Sequence, residues 1–175
     1  MPVIEIVILI VLGIAITVSI SWTQLVGAPW VPTTMRMVNK MLTMAEVGPD
    51  DLVYDLGCGD GRLVVTAARK YGARAVGIEI DPLRYVWCQF LITVLFLRKR
   101  VEIRYGNFFN HDLSDADVIT CYLLPKTNLK LEDKLIQEIR SSTRIVSNSF
   151  IFTEFHQVRA DGDAMLYLYY PEQTE

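Results

Sequence analysis

Two carboxylates and a glycine-rich turn carry the chemistry most directly readable in this chain. Asp55 lies in the apolar run Leu52 to Leu56, which leads into three alternate glycines, Gly57, Gly59 and Gly61, and a helical pattern opens at Arg62. A strand, a tight glycine turn and a helix N-terminus receive a nucleotide at the edge of a parallel sheet. Glycine suits the turn because unusual backbone angles are open to it and a ligand can approach its backbone closely. The spacing separates two ligand classes. A dinucleotide fingerprint, G-x-G-x-x-G, would put its third glycine at position 62, which is Arg62. A pyrophosphate is disfavoured beside the Asp55 carboxylate, whereas a ligand carrying an ammonium and a sulfonium is favoured there. Glu79 closes the apolar run Ala75 to Ile80, eighteen residues after Gly61, where an acid can accept both ribose hydroxyls. The pattern therefore points to S-adenosylmethionine rather than NAD. Asp55, Gly57, Cys58, Gly59, Asp60 and Gly61, with Glu79 and Ile80, are the expected cofactor-binding residues.

These residues need a sheet behind them. Apolar runs predict strands at Leu52–Leu56, Ala75–Ile80, Val101–Tyr105, Val118–Tyr122 and Arg144–Asn148, followed by an antiparallel pair, Phe152–Arg159 and Ala164–Tyr170, joined at Asp161-Gly162-Asp163. Helical patterns over Arg62–Tyr71, Pro82 to about Leu97 and Lys126–Arg140 connect them. Asp81 caps the second of these, with Pro82 at the first helical position. That helix is apolar nearly all round and is followed by Arg98-Lys99-Arg100. One face is expected on the sheet and the other against a membrane or a partner, with the basic end near anionic headgroups. The fold class is α/β, a Rossmann-like, doubly wound, seven-stranded and mostly parallel sheet with a C-terminal antiparallel hairpin.

Ahead of the sheet, Val3 to Trp22 is apolar apart from Glu5, Thr17, Ser19 and Ser21. As a helix its twenty residues would extend roughly 30 Å, enough to cross a bilayer. No Lys or Arg precedes Arg36, and Arg36 and Lys40 follow the segment. The positive-inside rule then puts the N-terminus outside and the domain in the cytoplasm. Residues 1–24 read as an anchor, 25–50 as a linker and helix capped by Thr33 or Thr34 and running to about Val47, and 51–175 as the cofactor-binding domain. The net charge of −3 gives no reason to expect nucleic-acid binding. Cys58, Cys88 and Cys121 have no metal or redox spacing, and two histidines exclude a histidine-rich metal site.

The core resembles the class I S-adenosylmethionine-dependent methyltransferases. More narrowly, it resembles the small membrane-anchored protein-lysine methyltransferases whose mitochondrial members modify the ATP synthase c subunit and the adenine nucleotide translocase. The carrying residues are the apolar N-terminal segment, P-W-V-P-T (Pro29 to Thr33), D-L-G-C-G-D-G-R (Asp55 to Arg62), G-I-E-I-D (Gly77 to Asp81) and Y-L-L-P (Tyr122 to Pro125). The resemblance implies that P-W-V-P-T lies across the methionine end of the cofactor, with the Thr33 hydroxyl in reach. Asn107 stands where many methyltransferases carry an Asp for the adenine amino group, and Phe108 or Phe109 could pack on the adenine face. Tyr122, Leu123, Leu124 and Pro125 fall where amino-methylating relatives outside this family often place N-P-P-Y. The acceptor role of that motif would pass to a backbone carbonyl or the Tyr122 hydroxyl.

The expected reaction is methylation of a lysine on an integral membrane protein. An apolar slot of Trp30, Tyr122, Leu123, Leu124 and Pro125 would desolvate the amine and lower its pKa, so that no strong base is required. The expected partners are that membrane protein and membrane lipid. Methylation of a lipid, a quinone or another small molecule, and cofactor binding without turnover, are the alternative readings.

Overall fold

A computed structural model describes residues 3–11, 13, 14, 17 and 31–171. Residues 3–11 are helical (α1), with every side chain exposed. Among the described residues, no helix is long and apolar enough to cross a membrane. The expected span runs on through positions outside the described residues, as do Trp22, Pro29 and Trp30.

From residue 31 onward the chain builds one α/β unit. Helix α2 (Met35–Met44) is capped by Thr34, whose hydroxyl accepts the Met37 N–H at 3.3 Å, so Thr34 takes the cap and Thr33 is left outside the helix. The helix stops short of Val47 because Glu46 adopts a positive φ of 53°, which turns the chain away. Strands β1 (Leu52–Leu56), β2 (Arg74–Glu79), β3 (Val101–Tyr105), β4 (Val118–Cys121), β5 (Arg144–Asn148), β6 (His156–Asp161) and β7 (Leu166–Tyr170) form one sheet in the order β3-β2-β1-β4-β5-β7-β6. The first five are parallel, and β7 pairs antiparallel with both β5 and β6. Helices α3 (Arg62–Lys70), α4 (Pro82–Val94) and α5 (Pro125–Glu138) make the crossovers.

The central strands β1, β4 and β5 are buried on both faces. Val38, Met41 and Leu42 of α2, Leu63, Val64 and Ala67 of α3, and Cys88 and Ile92 of α4 pack on one face, around Val53, Ala75 and Val118. Leu131 and Leu135 of α5 cover the other with Phe152 and Phe155, around Tyr54, Ile78 and Ile119. Each fully buried aliphatic side chain contributes about 1.5–3 kcal/mol relative to exposure. The strand order reverses between β1 and β4, which puts a switch point at the C-terminal ends of these strands.

Other expected boundaries move as well. Strand β6 starts at His156 rather than Phe152. Phe152 and Phe155 turn into the core, and the Glu132 carboxylate accepts the N–H groups of Thr153 and Glu154 at 2.6 and 2.5 Å, which holds the segment as a loop. Strand β4 ends at Cys121, so Tyr122 leaves the sheet. Helix α4 ends at Val94 because Phe96 takes a φ of 56°.

Candidate active site

The site forms where β1 runs into its turn. Gly57, Gly59 and Gly61 all have positive φ (80°, 58° and 81°), a region that a side chain would strain. The N–H groups of Gly57 and Cys58 both donate to the Ile78 carbonyl, at 2.9 and 3.0 Å, folding the turn over the end of β2. Glu79 tightens it further: its carboxylate accepts the Gly59 N–H at 2.7 Å and the Asp81 N–H at 2.9 Å. This acid therefore shapes the turn as well as lining the cavity beside it, a role that spacing in the sequence did not reveal.

A cavity of about 1260 Å³ opens beside this turn. It exceeds the roughly 300–1,000 Å³ of an ordinary small-molecule pocket, which leaves room for a cofactor and an incoming side chain together. Thr33, Asp55, Gly57, Cys58, Gly59, Asp60, Glu79, Ile80, Asn107, Phe108, Tyr122, Leu123, Leu124 and Pro125 all line it. Gly61 does not. It lies behind the turn, where an added Cβ would meet the Cys88 sulfur at 3.0 Å, so its work is close packing against α4. Trp30 falls outside the described residues. Neither histidine lines the cavity.

Arg62 occupies the place of the missing third glycine and has a task of its own. Its guanidinium pairs with Asp60 and donates to the Thr33 carbonyl at 2.7 Å. This ties the segment ahead of α2 to the glycine turn and brings Thr33 into the wall. No periodic signal could have announced it, because the partners are 29 residues apart. Asn107 is placed in the wall, but its side-chain oxygen accepts the Phe109 N–H at 3.1 Å. The acceptor expected for the adenine amino group is thus engaged in capping the short 3-10 helix Phe108–Asn110.

Three acids face the cavity, and their surroundings differ. Burial alone would raise Asp60, but the Arg62 guanidinium overrides it and holds the carboxyl below its ordinary value. Glu79 is raised by burial, against the opposing backbone N–H groups of Asp81 and Gly59. Asp55 is pushed up to about 7, first by burial and then by the charges of Glu79 and Asp60, with only the Thr120 hydroxyl, at 2.9 Å, favouring ionisation. A buried acid with so little compensation fits a cationic ligand, because a sulfonium or an ammonium supplies the missing positive charge. The thiols offer no nucleophile. Cys121 is pushed up to about 12 by burial. Cys58 is raised by its hydrogen bond with Cys88 and by burial. Helix α4 brings Cys88 under the turn that carries Cys58, where the Cys88 thiol donates to the Gly59 carbonyl at 3.3 Å.

Beyond the carboxylates the wall turns apolar. Tyr122 leaves β4 and Pro125 opens α5, whose first turn directs the Thr127 and Asn128 N–H groups to the Leu124 carbonyl at 2.9 and 3.0 Å. With the Leu124 carbonyl occupied, the Tyr122 hydroxyl and the carbonyls of Tyr122 and Leu123 are the candidates to orient an amine. Tyr122→Phe is expected to leave the cofactor dissociation constant unchanged and to lower kcat about tenfold, the worth of one hydrogen bond made in the transition state. Titration of the variant beside steady-state kinetics checks this, and an equal loss of cofactor affinity would contradict the assignment.

The chain matches the ANTKMT methyltransferase domain family over residues 55–159. A protein-lysine N-methyltransferase of Saccharolobus islandicus (strain REY15A) is 44% identical over 123 residues, 70% of this chain and 76% of that protein. The adenine nucleotide translocase lysine N-methyltransferase of Mus musculus is 31% identical across 77% of this chain, which spans 58% of the mouse protein's length. Among solved structures, an RNA methyltransferase from Salinibacter ruber in complex with S-adenosyl-L-homocysteine superposes with a TM-score of 0.73 at 38% identity, covering 83% of this chain and 97% of that one. The chain accordingly binds S-adenosylmethionine and its demethylated product. The chain belongs to the ANTKMT methyltransferase domain family of class I S-adenosylmethionine-dependent protein-lysine methyltransferases.

Proposed function

We propose that the protein methylates the side-chain nitrogen of a lysine on an integral membrane protein, near the cytoplasmic face of the bilayer. The observation that carries this reading is the continuity of the cavity. The acids of the cofactor end and the apolar Tyr122–Pro125 segment line one space. When bound, S-adenosylmethionine supplies a methyl carbon on a sulfonium, so the leaving group needs no further activation. Asp55, Glu79 and the glycine turn hold the donor end. The Tyr122–Pro125 segment strips water from the incoming lysine, which favours its neutral, nucleophilic form. Lys126 and Lys130 also line the cavity, and their positive charge pushes the amine's pKa in the same direction. The proton leaves to solvent before attack, and in-line alignment contributes several kcal/mol, up to about 7–11 in good intramolecular cases.

The anchor belongs to the same proposal. Residues 3–22 hold the chain in the bilayer, N-terminus outside and catalytic domain in the cytoplasm. The helical, fully exposed and almost wholly apolar residues 3–11 support this, as does the mouse relative, which is named for a translocase as its substrate. An RNA substrate is the second reading, favoured by the name of the Salinibacter ruber protein. The net charge of −3 opposes it, because phosphate backbones are bound by clustered cations. The test incubates the full chain and methyl-labelled cofactor with membranes and total RNA together, then hydrolyses each fraction. Label is expected in methyl-lysine from membrane protein. Label confined to RNA, lipid or small molecules would refute the lysine reading.

A further inference from the structure

Outside the cavity, the outer face of α4 is the feature that methyl transfer leaves unexplained. Leu83, Val86, Trp87, Phe90 and Val94 recur at helical spacing, and each is about half exposed, from 44% to 62%. Phe96 follows at a positive φ and is 92% exposed. The face cannot roll inward, since Cys88 and Ile92 on the opposite side are buried and the Gln89 amide donates to the Ile103 carbonyl of β3 at 3.1 Å. Soluble surfaces rarely expose an aromatic and aliphatic stripe of this length.

The charges around the stripe select its occupant. Arg98, Lys99 and Arg100 follow the stripe and no acid lies between Pro82 and Arg100, in a chain whose net charge is −3; Arg84, at the other end, pairs with Asp81. A second copy docking here would bring cations to meet cations. An anionic phospholipid surface offers hydrocarbon to the stripe and phosphate to the basic end, as for helices that lie in the interface plane. The helical layer agrees. α2, which follows the N-terminal segment, packs on the same sheet face as α4.

We propose that the outer face of α4 docks on an anionic bilayer, laying the helix in the headgroup layer and fixing the height of the active-site cavity. Asp81 caps α4 two residues after Glu79, and Arg84 in its first turn lines the cavity. The cavity therefore opens at one end of a helix about 20 Å long, with Phe96 and the basic cluster at the other. A domain held this way reaches lysines in the headgroup layer and passes over those far into the cytoplasm. The substrate part of this inference rests on the lysine reading above; the lipid contact does not.

The test uses the full chain carrying Trp22→Phe and Trp30→Phe, so that Trp87 is the last of the three tryptophans. It is reconstituted in phosphatidylcholine vesicles with or without about 30% phosphatidylserine, with brominated acyl chains as quencher. Trp87 emission is expected to shift to the blue and to be quenched severalfold more in the anionic vesicles. Phe90→Asp with Phe96→Asp should abolish both effects while the chain still floats with the vesicles. That pair should also slow methylation of a membrane-embedded lysine but not of a soluble lysine peptide. Flotation with unshifted, unquenched Trp87 would overturn the docking face and leave the anchor standing. Shielding of Trp87 without lipid, accompanied by a doubled mass, would overturn it in favour of a second copy. Lipid quenching of Trp87, with neither lysine substrate methylated by the parent chain that keeps Trp22 and Trp30, would sustain the docking face and refute the lysine reading.

Discussion

Asp55→Asn should weaken S-adenosylmethionine binding by on the order of a hundredfold or more and at the same time raise the melting temperature of the cofactor-free protein at pH 8. The first effect follows from charge. Removing one member of a desolvated charge pair costs about 2–5 kcal/mol, and each 1.4 kcal/mol is about tenfold in affinity. The second follows from linkage. The folded-state carboxyl titrates at about 7 and its ordinary value is 3.8. Its contribution to stability is therefore complete below the ordinary value and is lost as pH rises through about 7. At pH 8 the free protein holds an ionised, buried and poorly compensated acid, and asparagine removes that burden while keeping an oxygen for the Thr120 hydroxyl. Thermal denaturation with and without cofactor reads both effects. The variant should melt higher than the parent when free, show no rise on adding cofactor, and lose its advantage near pH 4. A variant that binds cofactor as tightly as the parent would remove Asp55 from the account.

The second large effect concerns a glycine in the sheet. Gly77 pairs with Asp55 across β1 and β2. A Cβ there would lie 2.7 Å from the Cys58 sulfur, 3.0 Å from its Cβ and 3.1 Å from Ile103 Cδ1. Overpacking of this kind costs about 1–3 kcal/mol, and the group displaced is the glycine turn itself. Gly77→Ala should therefore lower stability by about that amount and cofactor affinity roughly tenfold or more. Adding Cys58→Ala removes the nearest of the three contacts and should recover most of the lost affinity. Urea denaturation and cofactor titration across the two single variants and the double variant measure the coupling. Strictly additive losses would show that the Cys58 contact does not transmit the strain.

The contrast between Gly77 and the other glycines illustrates what is legible in a sequence. Strands β1, β3 and β5 start and end where expected, because each run is bounded by turn residues; β1 and β5 are buried on both faces, whereas β3, at the sheet edge, exposes Glu102 and Tyr105. The turn from Gly57 to Gly61 is equally readable, since backbone conformation there dictates residue type. The division of labour within it is not. Gly61 serves packing against α4 and Glu79 clamps Gly59, and both depend on elements brought together only by folding. The Arg62 bridge to Thr33 and the Cys58–Cys88 contact are tertiary in the same sense. The first hairpin strand starts after the strand-like apolar signal of Phe152 and Phe155, because their rings are claimed by the α5 side of the core. Helix α4 reads as apolar all round, but only the structure separates its buried Cys88 and Ile92 from the exposed Trp87 and Phe90.

Behind these predictions stands one arrangement: a positively charged methyl donor meeting an acid that is reluctant to ionise in the empty cavity. Calorimetric titration of the full chain with S-adenosylmethionine, between about pH 5.5 and 8.5 in two buffers of different ionisation enthalpy, tests it most directly. Affinity should fall by up to about tenfold for each pH step of one below 7 and level off above it, with close to one proton released on binding at the acid end. Affinity that is flat across this range, with no proton released, would contradict the account.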